Sequence, residues 1–98
     1  MKIDLIAGAR PNFMKIAPII DAIKVAQSKG EKIQYRLVHT GQHYDKNMSG
    51  SFFEQLGIPL PDKNLEAGGG TQAEQTAKIM IGYESLLQEE STDYCLVV

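Results

Sequence analysis

The chain has 98 residues, 43% hydrophobic and 22% charged, with a formal net charge of −2. This is the composition of one small globular domain with a modest core. The acidic balance argues against nucleic acid, which needs a basic face, and no apolar run approaches a membrane span, so neither partner is expected.

Cys95 is the sole cysteine, so an intrachain disulfide is impossible and a cysteine-only metal site is excluded. No metal site is expected. The N-terminus enters a strand-like run at once, without the basic and apolar regions of a secretory signal. A cytoplasmic protein is the expectation.

Residues 2–7 read as a fully buried strand, a short run rich in Ile and Leu closed by Gly8. A Gly8-Ala9-Arg10-Pro11 turn follows. Residues 12–29 read as a helix, with Phe13, Ile16, Ala17, Ile20 and Ile23 on one face. Pro18 removes one backbone N–H and should bend that helix or restart it near Ala17. Gly30 is its expected stop. Residues 32–39 form a second strand, made parallel to the first by its helical linker. Thr40-Gly41-Gln42-His43-Tyr44-Asp45 is a polar, turn-rich exit.

A brief helix is expected from about Ser49 to Leu56, with Phe52 and Phe53 apolar. Gly57 closes it, and Ile58 reaches back to Phe53. Pro59 and Pro61 keep the next segment extended. Ala67-Gly68-Gly69-Gly70 is the most flexible stretch. Thr71-Gln72-Ala73-Glu74 matches a capping box and opens a long helix to about Glu90. Its expected inner stripe is Ala73, Thr76, Ala77, Met80, Tyr83, Leu86 and Leu87. Gly82 inside it costs on the order of 1 kcal/mol relative to Ala. Residues 94–98 read as a third buried strand, with Cys95 an inert core residue. Met14, Met48 and Met80 read as core filler.

The predicted sheet is parallel, in the order 32–39, 2–7, 94–98. Three strands are few for a doubly wound fold. The expectation is the first part of a larger domain, truncated after the third strand.

In open α/β sheets, ligands sit beyond the carboxyl ends of the strands. Arg10 and Lys15 fall there. Arg supplies a planar fork of donors and Lys a mobile charge, both suited to a diphosphate or carboxylate. The alternative is two surface cations, but a helix N-terminus repels cations, so another reason for them is expected. Gly8, Gln42 and His43 are candidates to line the same cleft. For His43, a ligand contact and a loop histidine holding its own turn stand equally. His39 is expected to pack at the strand end. Asp45 reads as a turn residue, Glu74 as a cap and Glu84 as solvent-facing. No convincing carboxylate pair stands out among these and Glu66.

At Gly8-Ala9-Arg10-Pro11, Lys15-Ile16-Ala17-Pro18 and Thr40-Gly41-Gln42-His43 the sequence resembles the non-hydrolysing UDP-N-acetylglucosamine 2-epimerases. That family begins with a G-T-R-P-like turn, a Lys five residues after the Arg, an A-P pair, and a T-G-Q-H after the second strand. The resemblance continues through the 71–87 helix and the last strand. Ala9 stands where Thr is common.

The resemblance implies a three-layer Rossmann-like parallel sheet, an incomplete N-terminal half-domain of a GT-B fold. It implies epimerisation at C2 of a UDP-sugar by elimination and re-addition of UDP, with no cofactor. Arg10 and Lys15 match substrate-binding positions. The catalytic carboxylates lie beyond Val98, so no catalytic residue is expected within the chain, and the fragment alone is expected to be inactive. The parent protein is expected to be a homodimer. Many bacterial members follow T-G-Q-H with Arg-Glu-Met, part of a regulatory UDP-sugar site, where Tyr44-Asp45-Lys46-Asn47-Met48 stands here. The same variant pattern resembles epimerases of 2,3-diacetamido sugar uronates. The rivals are half of a GT-B glycosyltransferase and a small flavodoxin-like binding module.

Overall fold

The computed structural model describes residues 1–41 and 50–98. Strands β1 (Lys2–Ala7), β2 (Gln34–His39), β3 (Lys63–Asn64) and β4 (Tyr94–Val97) make one sheet in the order β3-β2-β1-β4. Every pairing is parallel, as expected of strands joined through helices. Helices α1 (Arg10–Ser28), α2 (Gly50–Leu56) and α3 (Gln72–Glu89) complete it.

Alternation along β1 splits the core into two layers. Leu5 and Ala7 face α1 and α2, where they join Phe13, Ile16, Ile20, Leu37 and Phe53. Phe13, Ile16 and Ile20 are fully buried, each worth about 1.5–3 kcal/mol of apolar transfer. Phe13→Ala would break this layer at a cost of about 3–5 kcal/mol. On the other face Ile6, Val38 and Leu86 form a thinner layer, with Leu65 and Tyr83 at its margin. The expected three-layer arrangement is present.

Helix α1 starts at Arg10, two residues before the expected position. Pro11 presets the first turn, and the Asn12 side chain accepts from the Ala9 N–H at 2.8 Å. It ends as read: Gly30 has φ +90°, and the Glu31 N–H donates to the Ala26 carbonyl at 3.1 Å. The helix does not restart near Ala17 but runs unbroken through Pro18. Pro18 and Met14 lie on the exposed face, so the carbonyl that Pro18 leaves unpaired faces water. For the same reason Met14 is 56% exposed rather than core filler. Strand β2 begins at Gln34, not 32.

β3 was not expected. Pro59, Pro61 and three polar residues disguise it, but an edge strand needs no apolar pattern. The Asp62 N–H donates to the Leu37 carbonyl at 2.8 Å, Leu65 to His39 at 2.8 Å and Ala67 to Thr40 at 2.9 Å. Helix α2 ends as read, with Gly57 at φ +71° and the Ile58 N–H on the Phe53 carbonyl at 3.1 Å.

The capping box of α3 is formed: Thr71 Oγ1 accepts from the Glu74 N–H at 3.1 Å, and Glu74 Oε1 from the Thr71 N–H at 3.2 Å. The inner face of α3 matches the expected stripe in part. The last part of the stripe holds, with Leu86 buried and Tyr83 and Leu87 half-buried, but Ala73, Thr76, Ala77 and Met80 (68%) are exposed, and Gln75, Ile79 and Gly82 are half-buried instead. Leu65 seats against Gly82: a Cβ there would lie 3.3 Å from the Leu65 side chain. Gly82 is thus a packing residue. In these 98 residues strand β4 is exposed, Cys95 included, where a buried strand and a core cysteine were expected. It lies at the sheet edge, with β1 on one side. Met48 lies outside the described residues.

Candidate functional site

The chain order reverses at β1: β2 lies on one side and β4 on the other. In open sheets of this kind ligands bind beyond the carboxyl ends of the strands at such a switch point, here β1 and β4. The Gly8-Ala9-Arg10 turn occupies one wall. The exits of β1 and β2 are tied by the Thr40 N–H, which donates to the Ala7 carbonyl at 3.0 Å.

This turn is not a backbone cradle for phosphate. The N–H groups of Gly8 and Ala9 both donate to Asn12 Oδ1, at 3.2 and 2.8 Å, and Pro11 has none. Gly8 is buried and its amide is already used. The amides of Gly8 and Ala9 are thus not free for an anion, and the exposed side chains at this exit are Arg10 and Lys15.

Arg10 is exposed, and its guanidinium carbon lies over the Phe52 ring, 4.9 Å from the centroid. Lys15 is also exposed. Helical geometry puts it about 140° around α1 and about 7.5 Å further along than Arg10. Among the described residues neither cation makes an ion pair. A ligand touching both must span the turn. Gln42, His43 and Asp45 lie outside the described residues.

His39 packs at the strand end as read. Its ring lies 5.2 Å from Phe13, and Nδ1 accepts from the Gly41 N–H at 2.8 Å. Burial lowers its pKa, favouring the neutral ring that this bond requires. Gly41 has φ +73°, and a Cβ would lie 2.4 Å from Asn64 Oδ1 and 2.8 Å from the Glu66 backbone. The glycine of Thr40-Gly41 is therefore fixed by the crossing of β3. Glu66 is left-handed at φ 53°, its N–H on Asn64 Oδ1 at 2.8 Å. Glu74 serves the cap, and Glu84 is exposed. Among the described residues no group of three His, Cys, Asp or Glu side chains is placed to hold a metal.

Sequence reasoning missed two relationships. One is Phe52 beneath Arg10. The other is a buried polar cluster toward the amino ends of the strands, where Asp4 accepts from Arg36, Tyr83 and Thr92. A charge in each of two adjoining apolar strands was its available signal. A concavity of about 710 Å³ nearby is lined by Lys2, Arg36, Lys63 and Glu90. Sheets of this kind place ligands at the opposite end.

Fold and site together define a Rossmann-like α/β unit with an arginine-bearing turn at its switch point. Residues 25–98 match the family model described as UDP-N-acetylglucosamine 2-epimerase. The chain belongs to that family. It is 41% identical over 97 residues to the UDP-N-acetylglucosamine 2-epimerase of Methanocaldococcus jannaschii, covering 99% of this chain and 25% of that relative. It is 45% identical to the UDP-2,3-diacetamido-2,3-dideoxy-D-glucuronate 2-epimerase of Pseudomonas aeruginosa, covering 99% and 26%. The crystal structure of the M. jannaschii UDP-GlcNAc 2-epimerase in complex with UDP-GlcNAc and UDP superposes with a TM-score of 0.84 at 41% identity, covering 99% of this chain and 25% of that one. The chain thus spans about a quarter of the length of these relatives.

Proposed function

We propose that this chain is the first part of the N-terminal Rossmann-like domain of a GT-B-type UDP-sugar 2-epimerase, and that Arg10 and Lys15 hold the substrate diphosphate. The supporting observation is the exposed Arg10 guanidinium at the β1 exit, in a member of this family. Gly8 lies in the same wall, with Gln42 and His43 proposed to line the cleft from the second exit.

The reaction interconverts UDP-N-acetylglucosamine and UDP-N-acetylmannosamine. A base removes the C2 proton, and UDP departs with the electron pair of the C1–O bond. UDP then adds back as a proton is delivered to the other face of C2. Negative charge grows on the leaving diphosphate, and two cations poised beside it stabilise that charge. The carboxylates that move the C2 proton are assigned to the polypeptide beyond Val98. No cofactor takes part. We assign the whole protein to the cytoplasm as a homodimer that supplies precursors for cell-surface polysaccharide, with no nucleic-acid or membrane partner. No helix among the described residues is long and apolar enough to cross a membrane.

A second sugar is favoured by one observation, the 45% identity to the P. aeruginosa diacetamido-glucuronate epimerase. The C2 chemistry is the same. The test incubates the full-length protein with each UDP-sugar in deuterated water. Deuterium appearing at C2 of one sugar supports the reading and selects the substrate. No exchange into either overturns it.

A further inference from the structure

Arg10 occupies a position that calls for explanation. It begins α1, where the helix dipole repels a cation, and among the described residues it has no carboxylate partner. An unheld arginine side chain also carries substantial rotamer entropy. Its recorded partner is Phe52, with the guanidinium carbon 4.9 Å from the ring centroid. Phe52 is itself buried and firmly braced. Its ring meets Phe53 at 5.4 Å, Phe53 meets Phe13 edge-on at 5.1 Å, and Phe13 meets His39 at 5.2 Å. His39 in turn holds the Gly41 amide. A train of rings thus links Arg10 to both strand exits.

The chemistry of this contact differs from that of an ion pair. A ring face attracts the cation without claiming its N–H donors as a carboxylate would. The donors stay available to an anion while the side chain is held. We infer that Phe52 is a positioning residue that presents the Arg10 guanidinium to the diphosphate of the UDP-sugar. This rests on the reading of Arg10 given above. It also accounts for arginine rather than lysine at position 10, because a planar guanidinium suits an aromatic platform and still offers a fork of donors.

The experiment is a double-mutant cycle in the full-length protein, pairing Arg10→Ala with Phe52→Leu and reading kcat/KM for the UDP-sugar. Phe52→Leu should lower kcat/KM about two- to fivefold, the range of a partly exposed cation–π contact. In the Arg10→Ala background it should cause no further loss. Phe52→Tyr keeps the ring and should restore most of the activity. Phe52→Met keeps the volume without the ring, and replaces the leucine variant if that one does not fold. An unchanged kcat/KM in the leucine or methionine variant, with Arg10→Ala impaired, overturns the positioning role alone. Equal losses in both backgrounds do the same, since they mark a packing effect. Near-normal kinetics of Arg10→Ala overturns the substrate reading itself and this inference with it.

Discussion

Asp4 and Arg36 stand directly opposite each other in β1 and β2 and close a two-pronged ion pair, Nε to Oδ1 at 2.7 Å and Nη2 to Oδ2 at 2.8 Å. Both are buried. Tyr83 and Thr92 donate to Oδ2 as well, at 2.6 and 3.1 Å, and Glu90 approaches Arg36 at 3.7 Å. The carboxylate therefore joins β1, β2, α3 and the approach to β4. Since Leu86 is the one buried side chain recorded for α3, this cluster supplies much of what locates that helix.

Removing one partner leaves a buried charge alone, which costs about 3–5 kcal/mol. Asp4→Leu and Arg36→Met should each lower the unfolding free energy read from urea titration by that order. The pair Asp4→Leu and Arg36→Met should lose less than the sum of the singles. Additive losses would show that the two residues do not act as a unit. Burial alone would raise the Asp4 pKa, but the bonds from Arg36, Tyr83 and Thr92 bring it below the ordinary carboxylate value. Its stabilisation is present above the unfolded pKa of about 3.9 and lost as pH falls through the folded value.

Gly41→Ala should be far more damaging than Gly30→Ala. Both positions are left-handed, at φ +73° and +90°, which costs an alanine about 1–2 kcal/mol. A Cβ at Gly30 meets nothing within 4 Å, whereas at Gly41 it strikes Asn64 and the Glu66 backbone. Overpacking adds about 1–3 kcal/mol. Equal thermal midpoints for the two variants would refute the close crossing of β3.

His39 should make stability fall in mild acid. Its folded pKa is lowered by burial, so between the unfolded value of about 6.5 and the folded value the unfolded chain binds more protons. Stability is full above about pH 6.5 and declines as pH falls through the folded pKa. Protonation also destroys the acceptor for the Gly41 N–H. Proton NMR titration should show the His39 ring resisting protonation below pH 6.5, and an ordinary midpoint would contradict the buried placement.

The 98-residue chain alone should not exchange the C2 proton of UDP-N-acetylglucosamine with solvent, because the described residues bring no carboxylate pair to the β1 exit. Deuterium incorporation above a buffer blank would sink the assignment of the proton-moving groups to residues beyond Val98.

Residues 94–98 carry no charged side chain, and β4 is an exposed edge strand of the 98-residue chain. An uncharged apolar edge invites pairing with other chains. Val97→Lys should reduce light scattering by the 98-residue chain at high concentration, with its far-ultraviolet circular dichroism unchanged. Equal scattering would place the association elsewhere.

What the sequence determined by itself was local. The glycine that ends α1, the cap and glycine that end α2, and the Thr71-Glu74 box depend on residues a few positions apart. So does the strand–turn–helix that sets Arg10 at the β1 exit. The parallel order followed from the linkers, because a crossover through a helix has one hand. Tertiary structure decided whatever depends on a neighbour distant in sequence. Leu65 packs against Gly82 of α3, and Met80 is exposed. β3 became a strand because β2 offered it an edge, despite its prolines. Asp4 became tolerable in a buried strand only because Arg36 lies in register. Cys95 and its strand, apolar in sequence, are exposed in these 98 residues because β4 has β1 on one side and no strand of the described residues on the other. Arg10 could be placed from its position in the chain, but the ring beneath it could not, since Phe52 reaches it across 42 residues of chain and only the fold brings the two together.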